Sequence, residues 1–174
     1  MPSLTQPLRD EHRGLLPHIE HLRRTGDLVG EVPLAELRRA VAEVHEFLTD
    51  HLTPHAQAEE VALYPVVGRV MGAAEATATM SRDHVEVGRL TDELTALQAR
   101  LSAPVLGLED AKALRRVLYG LYALVKVHFA KEEEVYLPLL DARLEPAEGR
   151  RMFDAMHTAA KEAKREIRAE RAGI

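Results

Sequence analysis

The chain is 174 residues long, the size of one ordinary domain with a hydrophobic core of its own. It contains no cysteine, so disulfides, thiolate zinc sites, iron–sulfur clusters and a cysteine nucleophile are excluded. Any metal ion must therefore be held by nitrogen and oxygen atoms. The 28 acidic and 23 basic side chains give a net charge of −5, which provides no general attraction to nucleic acid or to an anionic membrane.

The composition favours an all-α protein. Alanine, leucine, arginine and glutamate are abundant, whereas aromatic residues make up only 4%, and this favours helix packing over a β-sheet. No apolar run approaches the roughly 20 residues of a membrane span, and the N-terminal segment lacks the apolar run of a signal peptide. We therefore expect a cytoplasmic protein that does not bind a membrane.

Apolar residues at helical spacing predict five helices. The first begins near Leu4 and ends before Gly26, and Pro17 inside it predicts either a kink or two shorter pieces. The second begins at Pro33, a residue favoured in a first helical turn, and is interrupted by Pro54. The second to fifth helices are expected at about 33–71, 77–101, 109–140 and 147–172.

Four long helices joined by short loops predict an up-down-up-down four-helix bundle over residues 1–145. Residues 146–174 are expected to form an additional C-terminal helix that packs on the bundle or extends from it. Basic side chains alternate with glutamates along that helix. Such mixed charge is typical of a solvated helix and does not indicate a nucleic-acid-binding arm.

A short pattern occurs twice in the chain. His55 is followed four residues later by Glu59, and His128 is followed four residues later by Glu132, so the two copies are 73 positions apart. Proline follows each glutamate by six residues, and an acidic residue and a histidine precede each copy, as Glu11-His12 and Asp83-His84. These markers predict two helical hairpins related by a pseudo-two-fold axis, with their polar faces toward each other.

Histidine and glutamate four positions apart project from the same face of a helix and can reach one metal ion. The two oxygens of a glutamate can also bridge two ions, and imidazole with carboxylate suits iron or manganese, with zinc and copper as competitors. Two such helices, together with two helices that each give one histidine, predict a buried site with four histidines and two carboxylates. The candidate ligands are His12, His55, Glu59, His84, His128 and Glu132.

Other metal and catalytic motifs are not found. Ferritin-like carboxylate proteins need a glutamate three positions before a histidine, and none of the nine histidines has one. The zinc-protease motif His-Glu-x-x-His also fails, because Phe47, Leu48 and Thr49 follow His45-Glu46. No serine–histidine–aspartate context and no glycine-rich phosphate loop stands out, so no catalytic residue is assigned.

The order of histidine and carboxylate resembles the hemerythrin-like family, also called the HHE cation-binding domain, over about residues 8–140. The resemblance implies a non-heme centre of two iron ions in an up-down four-helix bundle. It further implies that Glu59 and Glu132 bridge the two ions, that the four histidines are terminal ligands, and that an oxo or hydroxo bridge completes the centre.

The sequence departs from the oxygen-carrying members of that family at two positions. Those proteins have a fifth histidine one turn after the third-helix ligand, where this chain has Gly88. They also place the last carboxylate five residues after its histidine, which selects Glu133 over Glu132. With four histidines, at least one ion keeps an additional open position, and this favours redox chemistry or iron sensing over simple oxygen carriage.

Further side chains near the motif are candidates for supporting roles. His51 lies one turn before His55 and is a candidate for the missing ligand or for a residue at the entrance of the site. Tyr64 and Tyr136 can donate hydrogen bonds to the carboxylates or to a bridging oxygen, or can cap the core. His157 lies 73 positions after His84 but lacks the preceding acidic residue, and we interpret that spacing as coincidence.

These observations favour a di-iron protein that binds or reacts with oxygen or a related small molecule such as peroxide or nitric oxide. The alternative is a non-catalytic module that senses or stores iron, in which metal binding stabilises the bundle. The sequence identifies no protein partner and does not decide whether the protein is an enzyme.

Overall fold

A computed structural model describes residues 3–173, which form five helices and no strand. The all-α prediction and the four-helix bundle with an additional C-terminal helix are confirmed. A short 3₁₀ turn, Ala74–Thr77, precedes the third helix. The helices are α1 (Gln6–Leu28), α2 (residues 34–71), α3 (Ala78–Arg100), α4 (residues 108–143) and α5 (Pro146–Ala172).

The helix boundaries follow local signals, with one difference from the prediction. α2 ends at Gly72, whose φ of 70° is the left-handed conformation that glycine adopts without strain. α5 begins with a capping box between Glu145 and Glu148. Gly26, by contrast, lies inside α1 and does not end it. A Cβ atom there would lie 2.8 Å from the ring of Tyr119, so this glycine allows close packing of α1 against α4.

Prolines are accommodated in two different ways. α1 continues through Pro17 as one helix, so the predicted alternative of two shorter pieces is wrong. In α2 and α4, by contrast, a proline follows each of three π turns by two residues, and the residue before the proline donates its backbone N–H to the carbonyl five positions earlier. A proline ring clashes with the carbonyl four residues earlier in a regular α-helix, and the wider turn relieves that clash. The π turns are Leu48–Leu52, Glu59–Leu63 and Glu132–Tyr136, and they precede Pro54, Pro65 and Pro138.

The hydrophobic core consists of two clusters along the bundle. One lies toward the α1–α2 and α3–α4 loops and includes Leu22, Val44 and Leu118. The other lies toward the opposite end and includes Leu63 and Leu140. On each of the four bundle helices, the polar residues of the repeated pattern lie where one cluster gives way to the other. The candidate site is therefore enclosed by apolar side chains at both ends.

α5 packs along α2 in the antiparallel direction. An ion pair joins Arg69 of α2 to Glu148 at 3.2 Å, and another joins Asp50 to Arg171 at 2.7 Å at the far end of α5. Met152 and Met156 of α5 belong to the second core cluster. The division of the chain into two units at residue 145 stays a prediction. None of the helices within residues 3–173 combines the length and the apolar character that crossing a membrane requires.

Candidate metal centre

The six candidate ligands converge in the middle of the bundle. Ligand atoms of His12, His55, Glu59 and Glu132 lie within 4.8 Å of one another, and those of Glu59, His84 and His128 form a second such group. Both glutamates are fully buried, and three of the histidines are nearly so. The structure thus brings all six side chains together, and their role as metal ligands stays a prediction.

Glu59 faces both pairs of histidines. Its Oε1 atom lies 2.9 Å from Nε2 of His55 and 3.8 Å from Nε2 of His12. Its Oε2 atom lies 3.2 Å from Nε2 of His84 and 3.8 Å from Nε2 of His128. The two oxygens of Glu59 therefore point toward different histidine pairs.

Glu132 has the same arrangement. Its Oε2 atom lies 3.4 Å from Nε2 of His12, and its Oε1 atom lies 3.5 Å from Nε2 of His128. The two carboxylates thus lie side by side between a His12–His55 pair and a His84–His128 pair. This geometry divides the centre into two halves, which we call the His12 half and the His84 half.

Each of the four histidines contacts, through its Nδ1 atom, a carboxylate on the side away from the centre, which we call its outer carboxylate. The distances from Nδ1 to the carboxylate oxygen are 2.8 Å for His12, 3.0 Å for His55, 2.7 Å for His84 and 3.1 Å for His128. A carboxylate that accepts a hydrogen bond from the Nδ1–H group leaves the Nε2 lone pair directed into the centre, as a metal-binding imidazole requires. The four carboxylates are, in the same order, Glu133, Glu11, Glu60 and Asp83.

These outer carboxylates connect the helices reciprocally. α1 and α2 are linked by Glu11 and His55, and α3 and α4 are linked by Asp83 and His128. The remaining two contacts, made by Glu60 and Glu133, join α2 to α3 and α4 to α1. The pattern repeats under the 72- to 73-residue offset, so the pseudo-two-fold relation extends to the residues behind the ligands.

Several buried polar atoms at the centre have no hydrogen-bond partner within residues 3–173. They are Nε2 of His12 and His55, both carboxylate oxygens of Glu59, and Oε2 of Glu132. Unpaired buried polar groups are rare because each loses its hydration without compensation. In addition, the Nε2 atoms of His84 and His128 lie only 3.0 Å apart, and two lone pairs at that distance repel unless a cation or a proton lies between them. The donor set therefore fits a bound cation with nitrogen and oxygen ligands.

The pKa shifts describe how this cluster responds when only protons are available. Burial alone would lower the pKa of His128, but Glu132 and Glu59 outweigh it and raise the pKa to about 10. Burial likewise opposes protonation of His55, yet Glu59 and Glu11 raise its pKa well above the ordinary value. Burial alone would raise the pKa of Glu59, but His55, His12 and His128 together outweigh it and hold the pKa well below its ordinary value. Positive charge is thus required beside the buried carboxylates.

Tyr64 distinguishes the two halves. Its hydroxyl donates a hydrogen bond of 3.0 Å to Oε1 of Glu132 and lies 3.4 Å from Nε2 of His84 and 3.3 Å from Nε2 of His128. Burial, together with the charges of Glu59 and Glu132, raises the pKa of Tyr64 far above its ordinary value, so the phenol stays a proton donor. The corresponding position in the other copy is Leu137, which is fully buried.

The structure separates the other candidates named from the sequence. The hydrogen-bonding prediction holds for Tyr64 and is wrong for Tyr136, whose hydroxyl bonds the carbonyl of Ala76 at 3.0 Å. His51 is exposed and its ring lies beside Phe47, because the π turn Leu48–Leu52 precedes the motif and turns it off the ligand face. Glu133 supports His12 from behind, and Glu132, not Glu133, lies in the centre.

The outer carboxylates are the functional residues that the sequence did not assign. Their signal was present, because each one is the chain neighbour of a candidate ligand: Glu11 precedes His12, Asp83 precedes His84, and Glu60 and Glu133 follow the two glutamates. A neighbouring residue points about 100° away on a helix and reaches an adjacent helix instead of the centre. Pairing each carboxylate with its histidine required the arrangement of the helices.

A helical bundle with a buried cluster of four histidines and two glutamates defines a metal-binding protein. The sequence matches the hemerythrin HHE cation-binding domain over residues 3–140, and the chain belongs to that family. Comparisons with curated proteins and with solved structures gave no match.

The outer carboxylates generate a prediction about metal affinity. Replacing Glu60 by glutamine (Glu60→Gln) weakens the acceptor for Nδ1 of His84, and we expect metal affinity to fall on the order of 10- to 100-fold. The measurement is a competition titration against a chelator. Glu86→Gln is the matched control, because Glu86 pairs with Arg89 on the exposed face of α3. Equal affinity for the Glu60 variant and the wild type would contradict the assigned role.

His128 generates a pH prediction for the metal-free protein. Its pKa is about 10 in the folded protein and 6.5 for an ordinary histidine, the value expected in the unfolded chain. The protonated ring therefore stabilises the fold fully below about pH 6.5, and this contribution is lost as the pH rises toward about 10. We expect the melting temperature of the metal-free protein to fall over that interval, as measured by circular dichroism at constant ionic strength. The melting temperature of the metal-loaded protein should fall less, because the cation replaces the proton. A constant or rising melting temperature of the metal-free protein would be the opposite result.

Proposed function

We propose that the protein binds two iron ions and uses them to bind or react with oxygen or a related small molecule such as peroxide or nitric oxide. The observation that carries the proposal is the orientation of the two buried carboxylates. Glu59 and Glu132 each direct one oxygen toward the His12 half and the other toward the His84 half. Two bridging carboxylates between two histidine pairs suit two ions better than one.

In this proposal, His12 and His55 hold one ion and His84 and His128 hold the other. Each ion would then be held by two imidazole nitrogens and by oxygens of the glutamates that lie between the histidine pairs. Iron commonly takes more ligands than these residues supply, so the site would leave room for a small molecule. Bound iron would supply the electrons and the open coordination position for the chemistry.

The charges around the centre support two divalent ions. Six carboxylates surround it, two within the cluster and four behind the histidines. Two cations partly offset them, since Arg9 pairs with Glu133 at 2.5 Å and Lys131 pairs with Asp83. Two divalent ions bring this set close to neutrality. A single ion balances the two buried glutamates and leaves a net negative charge on the outer carboxylates, which are partly exposed and therefore partly screened by water.

The protein's own contribution is enclosure and hydrogen bonding. The two apolar core clusters exclude bulk water from both ends of the centre. The outer carboxylates fix the imidazole rings and increase their basicity. Tyr64 holds a neutral phenol next to Glu132 and both histidines of the His84 half, so it can donate a hydrogen bond to a small molecule bound there.

Metal analysis tests the central proposal. The protein purified from iron-replete cells should contain two iron ions per chain, and His55→Ala and Glu132→Ala should each lose most of the iron. His51→Ala is the matched control and should keep it, because His51 is exposed and lies outside the cluster. Absence of bound transition metal, or full retention in the first two variants, overturns the proposal.

Visible spectra separate the functional alternatives. A band that appears and disappears reversibly with oxygen supports oxygen binding, and an irreversible change with rapid consumption of peroxide supports an enzyme. Stable iron binding with neither response would favour the iron-sensing or iron-storage module instead.

Tyr64 generates a prediction about redox potential. Removing its hydroxyl (Tyr64→Phe) takes a hydrogen bond away from Glu132, which then donates more electron density to the metal and favours the oxidised state. A hydrogen bond to a charged group contributes roughly 1.5–3 kcal/mol, and part of it differs between oxidation states, so we expect the midpoint potential to fall by tens of millivolts. Spectroelectrochemistry measures the potential. Tyr136→Phe is the control, because the Tyr136 hydroxyl bonds only a backbone carbonyl. A potential that does not change, or that rises, contradicts the role of Tyr64.

A further inference from the structure

Surface grooves reach histidines of the centre from several sides, and two of these grooves are related by the internal repeat. A further pocket, of about 450 Å³, borders Glu11 and His55 between α1, α2 and α5 and lies outside this relation. Of the two related grooves, the first lies between α2 and α3, has a volume of about 390 Å³ and is lined by His84. We call it the His84 groove. The second lies between α1 and α4, has a volume of about 480 Å³ and is lined by His12. We call it the His12 groove.

The two grooves are related by the internal repeat, so their walls can be compared position by position. Ala56 in the His84 groove corresponds to Phe129 in the His12 groove, and Gly88 corresponds to Leu16. The ring of Phe129 stacks on His12 with the ring centroids 4.2 Å apart. Alanine and glycine provide no such cover, and the His84 side chain is 13% exposed compared with 3% for His12.

The rims of the grooves differ in charge. Three cationic side chains of the His12 groove are replaced by neutral ones at the corresponding positions of the His84 groove. Each groove also has one carboxylate that is bonded to its histidine, Glu60 or Glu133. The His84 groove therefore combines apolar walls with a neutral or weakly negative rim. The replaced pairs are Arg9 by Ser81, Arg13 by Val85 and Lys126 by Thr53.

We propose that the His84 groove is the binding and access pocket for a small, uncharged, apolar molecule of the dioxygen type on its way to the His84 half of the centre. This inference rests on the proposed function and adds the route and the ligand class. Apolar walls favour an apolar molecule over water, and Glu60 disfavours an anion. The groove also leads to the half that contains Tyr64, the hydrogen-bond donor that Leu137 replaces in the other half.

The route can be mapped without any reaction at the metal. We suggest nuclear magnetic resonance of the zinc-loaded protein, which is diamagnetic, with dissolved oxygen as the paramagnetic probe. The expected result is a several-fold larger relaxation enhancement at the His84 ring and the Val87 methyl groups than at the His12 ring and Leu16. A charged gadolinium chelate, used in parallel, reports exposure to water. Because the His84 side chain is 13% exposed and that of His12 is 3% exposed, the ratio of the oxygen effects at His84 and His12 should exceed the ratio that the chelate gives.

A matched pair of variants tests the groove itself. Gly88→Leu places a side chain at the position that Leu16 occupies in the other groove, and a Cβ atom there meets no other atom within 4 Å, so the helix tolerates it. We expect the oxygen effect at His84 to drop several-fold. Gly14→Leu is the control, because Gly14 also lies in open space within a helix but outside both grooves.

The outcomes are decisive in either direction. Equal or larger oxygen effects at His12, or an unchanged effect at His84 in the Gly88 variant, overturn the proposed route. Iron content is measured separately on the same proteins. If the protein binds iron but shows no larger oxygen effect at His84 than at His12, the proposed route is wrong and the di-iron proposal is unaffected. If the larger effect at His84 is found but the protein binds no iron, the di-iron proposal is wrong and the groove assignment is unaffected.

Discussion

Two carboxylates buried side by side in an apolar bundle are the constraint on which the rest of the centre depends. Glu59 and Glu132 are removed from water, and three of their four oxygens have no hydrogen-bond partner among the described residues. Such an arrangement is strongly unfavourable unless positive charge lies next to it. The imidazoles of four helices supply that charge when they are protonated, and a bound cation supplies it when they are not. Metal binding and the stability of the bundle are therefore linked through the same atoms.

The helices present these atoms through a departure from regular α-helix. Glu59 and Glu132 are each the first residue of a π turn, and Pro65 and Pro138 follow two residues after those turns end. The proline removes a backbone donor, and the carbonyl of the glutamate is bonded five residues on. The widened turn changes which side chains share a face beyond the glutamate. The histidine and the glutamate therefore keep their regular four-residue spacing. The face changes only beyond the glutamate, where the second core cluster closes the end of the bundle.

The sequence predicted the six central side chains because helical spacing and an internal repeat both act locally. A histidine and a glutamate four residues apart share a face whatever surrounds them, and the repeat identifies both copies. Pairings between helices could not be predicted in this way. Tyr64 and Tyr136 differ by one position within the repeat, which is about 100° around a helix, and only the three-dimensional structure shows which one faces the centre. Of the two roles predicted for His51, direct ligation is not supported for a related reason, since the four-residue spacing rule fails across a π turn.

The pseudo-symmetry also shows which features of the two halves are shared and which have diverged. The candidate ligands and their outer carboxylates are matched in both copies, so the two halves offer a cation the same kinds of donor atom. The differences lie around these residues. Next to the centre, Tyr64 of one half corresponds to Leu137 of the other. In the grooves, an alanine and a glycine of the His84 groove correspond to a phenylalanine and a leucine of the His12 groove. The proposed pair of ions needs matching donors in both halves, whereas the proposed access of a small molecule to one half depends on a difference between them. The divergence therefore lies where it changes access and hydrogen bonding and leaves the candidate ligands unchanged.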